Sequence, residues 1–201
     1  MAKLVEIEIH RELLRGACAG EEAAQAAVYT ATAPATFALI RRLMANRAVA
    51  EDVFQDTMMA LFQRLPEFRG EAPLGAWLRQ IAVSKCLMFL RSPWHRARLQ
   101  LGNEGEPDST HGLGALVTPA PAVEGLDIER ALTSLSPTAR AVVWLYEVEG
   151  YSHEEIARYF GRTVSFSKSQ LSRAHLKLRE WFESSKDRQI CTPIQSNSKV
   201  L

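Results

Sequence analysis

A capping box followed by a glycine turn is the feature that most constrains the fold of this chain. Ser152 stands three residues before Glu155, the spacing at which a serine hydroxyl and a glutamate carboxylate cap the start of a helix. Apolar residues then recur at helical spacing until Gly161 supplies a turn, and the spacing resumes from Val164. Residues 149–179 are therefore predicted to form a helix, a tight turn and a second helix, the arrangement that places a recognition helix in a DNA groove.

Charge divides this segment into an acidic part and a basic part. Residues 147–155 contain four glutamates and no Lys or Arg, whereas residues 158–179 contain six Lys or Arg and no acid. This division suits phosphate contacts from one face of the second helix. The simpler alternative is an ordinary helical domain with a solvated basic helix.

Composition bounds the remaining possibilities. With 24 Lys plus Arg against 23 Asp plus Glu, the net charge of +1 predicts no general attraction to nucleic acid, so DNA binding must come from local patches. The three cysteines are far apart, without a CxxC pair or a spaced His pair, so we expect neither a disulfide framework nor a zinc site. We also expect no signal peptide and no membrane insertion, and a reducing cytoplasm fits best.

The first half of the chain has its most informative pattern between Val49 and Leu65. One side of the predicted helix is an apolar stripe that should face the core: Phe54, Met58, Leu61 and Leu65. The opposite side should be exposed, acidic and rich in amides: Asp52, Gln55, Asp56, Met59 and Gln63. This second strip suits docking onto a basic partner, although a plain solvated face explains it equally well.

Further helices are predicted on either side of this one. Upstream, helical pieces at Glu6–Cys18 and Glu21–Tyr29 are followed by Pro34, which should end or kink the run, and helical spacing resumes at Ala35. Downstream, Pro66 should stop the helix before a loop at 67–73, and residues 74–90 should form another helix with Trp77 in its buried stripe.

A basic surface with aromatic residues is predicted in the same part of the chain. From Arg64 to Arg98 there are seven Lys or Arg against two acids, with Phe68 and Trp94 among them. Aromatic rings within a basic face can stack unpaired bases.

A change of composition separates this half from the helix-turn-helix segment. Residues 99–127 contain five Gly, three Pro, five acids and no Lys or Arg, which predicts a linker. A short helix at Ile128–Leu135 and a helix capped by Ser136-Pro137 should follow. The second of these should pack on the helix-turn-helix through Val142, Val143, Leu145, Tyr146 and Val148. The polar residues after Phe182 are predicted to be disordered.

Two long stretches of this sequence resemble the sigma-70 family of RNA polymerase sigma factors, of the small extracytoplasmic-function type. AEDVFQDTMMALFQRLPEFRGEAPLGAWLRQIA is similar to the family's core-binding and promoter-melting region. SLSPTARAVVWLYEVEGYSHEEIARYFGRTVSFSKSQLSRAHLKLRE is similar to its terminal helix-turn-helix domain. The two motifs stand in the family's order and separation.

The resemblance implies an all-α fold with two small helical domains, an N-terminal bundle and a C-terminal helix-turn-helix, joined by a flexible linker. The expected divisions are an N-terminal extension (1–19), sigma region 2 (20–98), a flexible acidic linker (99–126), sigma region 4 (127–183) and a disordered tail (184–201).

The resemblance also implies roles for particular residues. Docking on the clamp helices of the polymerase largest subunit is expected at Asp52, Gln55, Asp56, Met59 and Gln63. Capture and melting of the minus-ten DNA are expected at Phe68, Arg69, Gly70, Glu71, Arg79, Ser84, Lys85 and Arg91. Reading of the minus-thirty-five DNA is expected at Arg162, Ser165, Phe166, Lys168, Ser169, Gln170, Arg173 and Lys177.

The sequence departs from the family pattern at the start of the recognition helix. Ser165-Phe166-Ser167 stands where relatives usually have a Gly-Thr-Val run, and Gln170 replaces a frequent Arg. Ser84 likewise stands where an Asn often follows an Ile-Ala-Val run. Gln170 could favour adenine and Phe166 could meet a thymine methyl, so base preference is the property that these departures alter.

The function implied is that of a specificity subunit with no catalytic residues, no metal and no cofactor. It would direct core RNA polymerase to promoter DNA, work under an anti-sigma protein and be a cytoplasmic monomer when free. The alternative is a stand-alone helix-turn-helix regulator with an N-terminal sensing or dimerising bundle, which predicts dimers that bind duplex DNA without polymerase. An enzyme has little support, because the five His are scattered and no Gly-rich phosphate loop follows a strand.

Overall fold

Every regular element in the described residues is a helix. The computed structural model describes residues 4–92 (the N-terminal half) and 123–190 (the C-terminal half), and the side chains of 4–92 and 128–185. The N-terminal half contains short 3-10 helices at Leu4–Glu6 and Leu65–Glu67 and the helices α1 (Arg11–Cys18), α2 (Glu22–Leu43), α3 (Arg47–Arg64) and α4 (Leu74–Arg91). The C-terminal half contains α5 (Val123–Thr133), α6 (Pro137–Val143), a π-helical turn (Trp144–Val148), α7 (His153–Phe160) and α8 (Val164–Ile190). The predicted all-α fold is confirmed.

The core of the N-terminal half forms around α2, which packs against α1, α3 and α4. Its fully buried side chains include Val28, Ile40, Leu43, Leu61, Leu65, Leu78 and Leu87. The stripe predicted on α3 faces this core, with Met58, Leu61 and Leu65 buried. Phe54 is half-buried and meets Phe37 edge to face, with 5.4 Å between ring centroids. Helical periodicity therefore identified the inner face of α3 correctly.

The N-terminal segment differs from its prediction. A helix was expected over Glu6–Cys18, but α1 begins at Arg11. Leu4 is instead buried against α4, where a Cβ on Gly75 would lie 2.0 Å from the Leu4 carbonyl oxygen. The segment before α1 is thus positioned by a distant backbone contact, which local helix periodicity does not encode.

Pro34 was predicted to end or kink its helix. It does not end the helix, because α2 runs through Pro34 from Glu22 to Leu43. Proline removes the hydrogen bond to the carbonyl of Thr30. Both Pro34 and Thr30 are exposed, so water can satisfy this carbonyl. Burial of the same helix through Val28 and Ile40 then outweighs the lost bond.

Local caps set the helix ends of the C-terminal half. Ser136 accepts a hydrogen bond from the Ala139 N–H at the start of α6. Ser152 and Glu155 form the predicted capping box: the Glu155 N–H donates to Ser152 Oγ at 3.2 Å, and the Ser152 N–H donates to Glu155 Oε2 at 2.8 Å. Gly161 ends α7 in the left-handed region with φ 60°. The predicted helix-turn-helix is therefore present at the predicted positions.

The π-helical turn explains a wrong prediction about the face after α6. The N–H of Glu149 donates to the Trp144 carbonyl at 3.1 Å, a wider closure than an α-helical turn has. The side chains of this turn consequently leave the α-helical face, and Tyr146 and Val148, which were expected to pack inward, are 37% and 39% exposed. Val142, Val143 and Leu145 are buried as predicted.

Two helix boundaries extend beyond their predictions. Helix α5 begins at Val123, so the last part of the expected linker is helical, and residues 93–122 lie outside the described residues. Helix α8 continues to Ile190, past the expected start of a disordered tail at residue 184.

Candidate nucleic-acid interface

The acidic strip predicted on α3 lies on the protein surface. All five of its residues are exposed, and Met59 retains 59% of its accessible area: Asp52, Gln55, Asp56, Met59 and Gln63. Within the described part of the chain, neither Asp52 nor Asp56 forms an ion pair. Helix α3 is fixed beneath the strip by its buried face and by Asn46, whose side chain accepts from the Val49 N–H at 3.1 Å. The strip is therefore a preformed surface with two free carboxylates.

The loop between α3 and α4 has an aromatic cluster at its base. The ring centroids of Phe68 and Trp77 lie 5.1 Å apart, and the Arg64 guanidinium lies 5.5 Å from the centre of the Trp77 ring. Phe68 and Trp77 are half-buried, so Phe68 is packed on its neighbour instead of extending into solvent. Trp77 belongs to the core edge, as predicted.

The rest of this loop is exposed. Gly70 adopts φ 72°, a backbone conformation that favours glycine. Arg69 and Glu71 flank it with 3.9 Å between their charged atoms, and their side chains are 84% and 79% exposed. Such a pair is weak in water, so the Arg69 guanidinium stays free to exchange partners.

The four residues predicted on α4 do not share one environment. Ser84 and Arg91 are exposed, whereas Arg79 and Lys85 are half-buried. Arg79 forms an ion pair with Glu149 at 2.8 Å, and Arg91 Nη1 donates to the Tyr159 carbonyl at 2.9 Å. Two of the predicted minus-ten residues thus contact the C-terminal half. Trp94 lies outside the described residues.

Helix α8, the predicted recognition helix, presents most of its predicted DNA-contacting residues to solvent. The exposed ones are Arg162, which precedes the helix, and Ser165, Lys168, Ser169, Arg173 and Lys177. The inner face consists of Ser167, Leu171 and Ala174, which are buried. A basic outer face on a well-packed helix can contact phosphates without disturbing the core.

The other two predicted residues of α8 are partly covered. The ring of Phe166 packs against Phe160 with 5.6 Å between centroids, which leaves it half-buried in the core of the helix-turn-helix. Gln170 is also half-buried. Phe166 therefore contributes to packing between α7 and α8.

Sequence reasoning missed three residues that organise these surfaces. Thr163 caps α8 by accepting from the Phe166 N–H at 3.3 Å, and His153 Nδ1 lies 3.0 Å from Ser167 Oγ. Arg140 is buried and donates to backbone carbonyls of α2. A threonine just before a helical run is a recognisable cap signal. The other two interactions join distant segments and have no local signal.

Two of the three cysteines, Cys18 and Cys86, lie within the described residues, and burial disfavours the thiolate form of each. Burial raises the pKa of the Cys86 thiol well above its usual range, and desolvation also raises the pKa of Cys18, whose Sγ donates to the Leu65 carbonyl. In residues 4–92 and 123–190, no group of three His, Cys, Asp or Glu is placed to hold a metal ion. In the same residues, no helix has the length and apolar character needed to cross a bilayer.

Two family models match the chain in the order expected. Residues 28–96 match sigma-70 region 2, and residues 125–178 match sigma-70 region 4. The first match includes the acidic strip, the loop and α4, and the second includes the helix-turn-helix.

The curated relatives of the chain are named RNA polymerase sigma factors. The chain is 33% identical over 172 residues to the ECF RNA polymerase sigma factor SigL of Mycobacterium tuberculosis, covering 82% of this chain and 92% of SigL. It is 28% identical over 184 residues to the probable RNA polymerase sigma factor RfaY of Xanthomonas campestris, covering 89% of this chain. The chain spans 45% of the length of RfaY and 56% of that of SigE from Mycolicibacterium smegmatis.

A solved structure shares the fold. The chain matches the sigma factor RpoE of Bartonella quintana, crystallised with the anti-sigma factor NepR, with a TM-score of 0.51 and 26% identity. The match covers 79% of this chain and 96% of RpoE.

Proposed function

Because the chain belongs to the extracytoplasmic-function (ECF) group of the sigma-70 family, we propose that it directs core RNA polymerase to specific promoters and initiates transcription there. It acts as a non-enzymatic specificity subunit in the cytoplasm. Two family regions matched in one chain support this role over a stand-alone helix-turn-helix regulator, which needs only the second region.

The polymerase-docking surface in this proposal is the acidic strip of α3. The observation that carries the proposal is that all five of its residues are exposed on one face while the opposite face is anchored in the core. Two unpaired carboxylates beside amides and an exposed methionine suit a basic partner surface with an apolar centre. The partner is the clamp-helix element of the polymerase largest subunit.

The minus-ten surface in this proposal is the α3–α4 loop with the outer face of α4. Arg69, Gly70 and Glu71 form an exposed loop tip that can receive an unstacked base. Unstacking costs a few kcal/mol per base step, and contacts of Ser84, Lys85 and Arg91 with the separated strand offset that cost. Phe68 supports the loop from below through its packing on Trp77.

The minus-thirty-five surface is the exposed face of α8. Lys168 lies about one turn into α8 and Arg173 about two and a half turns, within the half of the helix that is nearer the turn and that enters the major groove in helix-turn-helix proteins. Arg173 Nε also donates to the Ser169 carbonyl at 3.2 Å, which orients the guanidinium along the helix surface. Ser165, Ser169 and Gln170 supply polar groups for base edges or phosphates.

An anti-sigma protein is the expected regulatory partner. The support for it is that the related RpoE of Bartonella quintana was crystallised with the anti-sigma factor NepR. The free chain is expected to be a monomer.

Run-off transcription with purified core polymerase tests the proposal. Asp52→Lys combined with Asp56→Lys reverses the charge of the strip while leaving the buried face of α3 intact. We expect the wild type to give promoter-specific transcripts and the double variant to lose at least about tenfold, as for disrupted charge pairs at interfaces. Glu8→Lys combined with Glu12→Lys is the matched control, since both of these acids are exposed and lie outside every proposed surface.

The two results that contradict the proposal are distinct. If core polymerase gains no promoter specificity from the wild-type chain, the sigma function is wrong. If the strip variant and the control variant transcribe equally well, the sigma function stands and the docking surface lies elsewhere.

A further inference from the structure

The first described residues of the chain lie against both ends of the α3–α4 loop (residues 68–73). They form an N-terminal arm (residues 4–18) that consists of the 3-10 helix Leu4–Glu6, a connecting segment and α1. The match to sigma-70 region 2 begins only at residue 28, so it assigns no role to this arm. None of the surfaces proposed for polymerase or DNA includes it. The arm nevertheless packs on the loop that is proposed to receive the minus-ten base.

One contact of the arm fixes the downstream end of the loop, where α4 begins. Leu4 is 5% exposed, and its 3-10 turn packs on α4. The Ile7 N–H closes this turn by donating to the Leu4 carbonyl at 3.3 Å. At Gly75, the second residue of α4, a Cβ would lie 2.0 Å from the Leu4 carbonyl oxygen and 3.3 Å from that of Ile7. The arm and the first turn of α4 are therefore in direct backbone contact, which only glycine permits at this position.

The start of α4 has no side-chain cap. Pro73 occupies the N-cap position without a side-chain hydrogen bond, whereas Asn46 caps α3. The first N–H groups of a helix lack intrahelical partners, and uncapped helix ends fray. Packing of the arm on Gly75, together with burial of Leu74, consequently determines where α4 begins and where the loop ends.

A second contact of the arm fixes the upstream end of the loop. The Leu65 carbonyl accepts from the Phe68 N–H at 3.0 Å, which forms the 3-10 turn that leads into the loop. The same carbonyl accepts from the Cys18 thiol of α1, with 3.3 Å between sulfur and oxygen. Desolvation raises the pKa of this thiol, so it keeps its proton at neutral pH and remains a donor. The arm thus holds the loop at both of its ends.

The arm is itself anchored on α2, independently of the loop. Gly16 of α1 is buried, and a Cβ there would lie 3.1 Å from the Cβ of Ala24 and 2.6 Å from Glu21 Oε2. Ala17 beside it is completely buried. Close packing of this kind resists displacement, so the arm forms a rigid bracket for the loop.

We propose that the N-terminal arm positions the minus-ten loop, by holding the Leu65 turn and the first turn of α4 at a fixed separation. This inference rests on the proposed function, because that function places capture of the minus-ten base on the tip of this loop. The arm itself touches neither DNA nor polymerase. Leu4 and Cys18 are therefore positioning residues, and residues 4–18 belong to the minus-ten site although the family match omits them.

The loop depends on this support because its tip has few contacts of its own. Arg69 and Glu71 are 84% and 79% exposed, and the 3.9 Å pair between them is weak in water. Gly70 lies between them at φ 72°, and glycine gives the backbone freedom to change conformation when the loop ends move. A loop whose ends are already fixed loses less conformational entropy when it binds a base. Support of both ends consequently raises DNA affinity without adding a contact to DNA.

Leu4→Ala tests the contact with α4, because it removes the buried side chain that seats the arm. Val5→Ala is the matched control, since Val5 is the next apolar residue of the same turn and is 36% exposed. Cys18→Ala removes the donor to the Leu65 carbonyl, and Cys18→Ser restores a donor through its hydroxyl group. Circular dichroism checks that each variant is folded. If Leu4→Ala unfolds, the two Cys18 variants decide.

Amide hydrogen exchange, followed by NMR in the free full-length chain, reports on the two ends of the loop. The informative amides are those that donate hydrogen bonds at these ends: Phe68, Ala76 and Trp77. We expect exchange about threefold to tenfold faster at Ala76 and Trp77 in Leu4→Ala, and at Phe68 in Cys18→Ala, than in the matched controls, since local opening becomes easier. The Ala50 amide, which donates to the Asn46 carbonyl at the start of α3, should exchange as in the wild type.

DNA binding by the complex with core polymerase reports on function. The probe is a fluorescein-labelled single strand that carries the minus-ten segment of the run-off template. We expect Leu4→Ala to weaken its binding about threefold to tenfold relative to Val5→Ala, because apparent affinity scales with the fraction of chains whose loop is competent. Affinity for core polymerase should be equal in the two variants, since the acidic strip is anchored by the buried face of α3.

Two kinds of result would overturn the positioning role. One is wild-type exchange of Ala76 and Trp77 in Leu4→Ala together with wild-type exchange of Phe68 in Cys18→Ala. The other is a general effect, seen as equally faster exchange at Ala50 or as equal losses of polymerase and DNA affinity. The arm would then stabilise the whole N-terminal half instead of the loop.

Run-off transcription with the wild type separates failure of the positioning role from failure of the proposed function. Promoter-specific transcripts together with equal DNA affinities for Leu4→Ala and Val5→Ala remove the positioning role only. Absence of transcripts together with the expected exchange rates removes the sigma function and leaves the support of the loop by the arm in place.

Discussion

The imidazole Nδ1 of His153 and the hydroxyl oxygen of Ser167 lie 3.0 Å apart and join the two helices of the helix-turn-helix. Ser167 is completely buried, and the Tyr146 ring stacks on the face of the His153 ring with 4.4 Å between centroids. By the resemblance of the sequence to the sigma-70 family, Ser167 stands where an apolar residue is expected. The departure therefore places a hydrogen bond at the joint between α7 and the recognition helix.

Ser167→Ala should destabilise the protein by about 1–2 kcal/mol, because the bond is lost and the facing His153 nitrogen loses its partner. Urea unfolding measures the change. Ser165→Ala is the matched control, since Ser165 is exposed on the same helix and its loss should change stability by less than about 0.5 kcal/mol. Equal losses for the two variants would contradict a structural role for the His153–Ser167 bond.

The capping box should make stability depend on pH in acid. The N–H and side chain of Ser152 lower the pKa of Glu155 below its ordinary 4.5 through hydrogen bonds. A lowered folded-state pKa adds stability that is complete above the unfolded-state pKa and is lost as pH falls through the folded-state value. Unfolding free energies measured from pH ~6 down to pH ~3 should therefore fall less steeply in Glu155→Gln than in the wild type.

Glu154→Gln is the control for this pH effect. Glu154 is adjacent to Glu155, but its carboxylate caps no backbone N–H among the described residues. Its pH profile should follow that of the wild type. A wild-type slope in Glu155→Gln would show that the cap contributes nothing to acid sensitivity.

Gly75→Ala should destabilise the protein although helix propensity predicts the opposite. Alanine is favoured over glycine in helices, by roughly 0.5–1 kcal/mol in a helix interior, and Gly75 is the second residue of α4. At this position the new Cβ would lie 2.0 Å from the Leu4 carbonyl oxygen and 3.3 Å from that of Ile7. Because the N-terminal segment must shift, we expect a net loss of about 1–3 kcal/mol in urea unfolding.

Removing residues 1–8 should reverse the sign of the Gly75→Ala effect, because the obstructing carbonyls are then absent. The pair of measurements forms a thermodynamic cycle between the segment and α4. If the substitution still destabilises the shortened chain, the cost arises elsewhere in α4.

Lys168→Ala and Arg173→Ala distinguish phosphate contacts from base readout on α8. A residue that touches only phosphate should weaken binding to all duplexes alike and lower the salt slope by about one. A residue that reads a base edge should lose about 1–3 kcal/mol of discrimination at one position. Fluorescence anisotropy with a promoter duplex and a scrambled duplex, each at several salt concentrations, separates the two outcomes.

Leu176→Ala is a control on the same helix for these titrations. Leu176 is 57% exposed and uncharged, so its loss should leave the salt slope unchanged. If Lys168→Ala and Arg173→Ala have the same salt slope of DNA binding as the wild type, the phosphate contacts lie on other residues.

Much of the fold followed from the sequence because its signals are local. Ser136, Ser152 with Glu155, and Gly161 each act within one helical turn, and each was found where it was expected. The two faces of α3 followed from helical periodicity for the same reason. Pro34, by contrast, has a strong local signal that the burial of α2 overrode.

The candidate surfaces were predicted less completely than the fold. Arg79 and Phe68 have the residue types expected of DNA contacts, yet one is paired with Glu149 and the other is packed on Trp77. The environment of a side chain depends on which distant segment faces it, and residue type and spacing do not contain that information. The roles assigned to the surface residues remain predictions until the variants are measured.

The sequence by itself determined the helices, their caps, the acidic strip and the basic recognition helix, because hydrogen bonds and periodicity within a few residues specify these features. Only the tertiary structure decided that the Leu4 backbone packs against Gly75 and that Ser167 contacts His153. It also decided which arginines donate to helix carbonyls of the other half: Arg79, Arg91 and Arg140. Each of these contacts joins a side chain or glycine to a group far away in the chain. Their energies arise only when packing brings the partners together and removes water from between them.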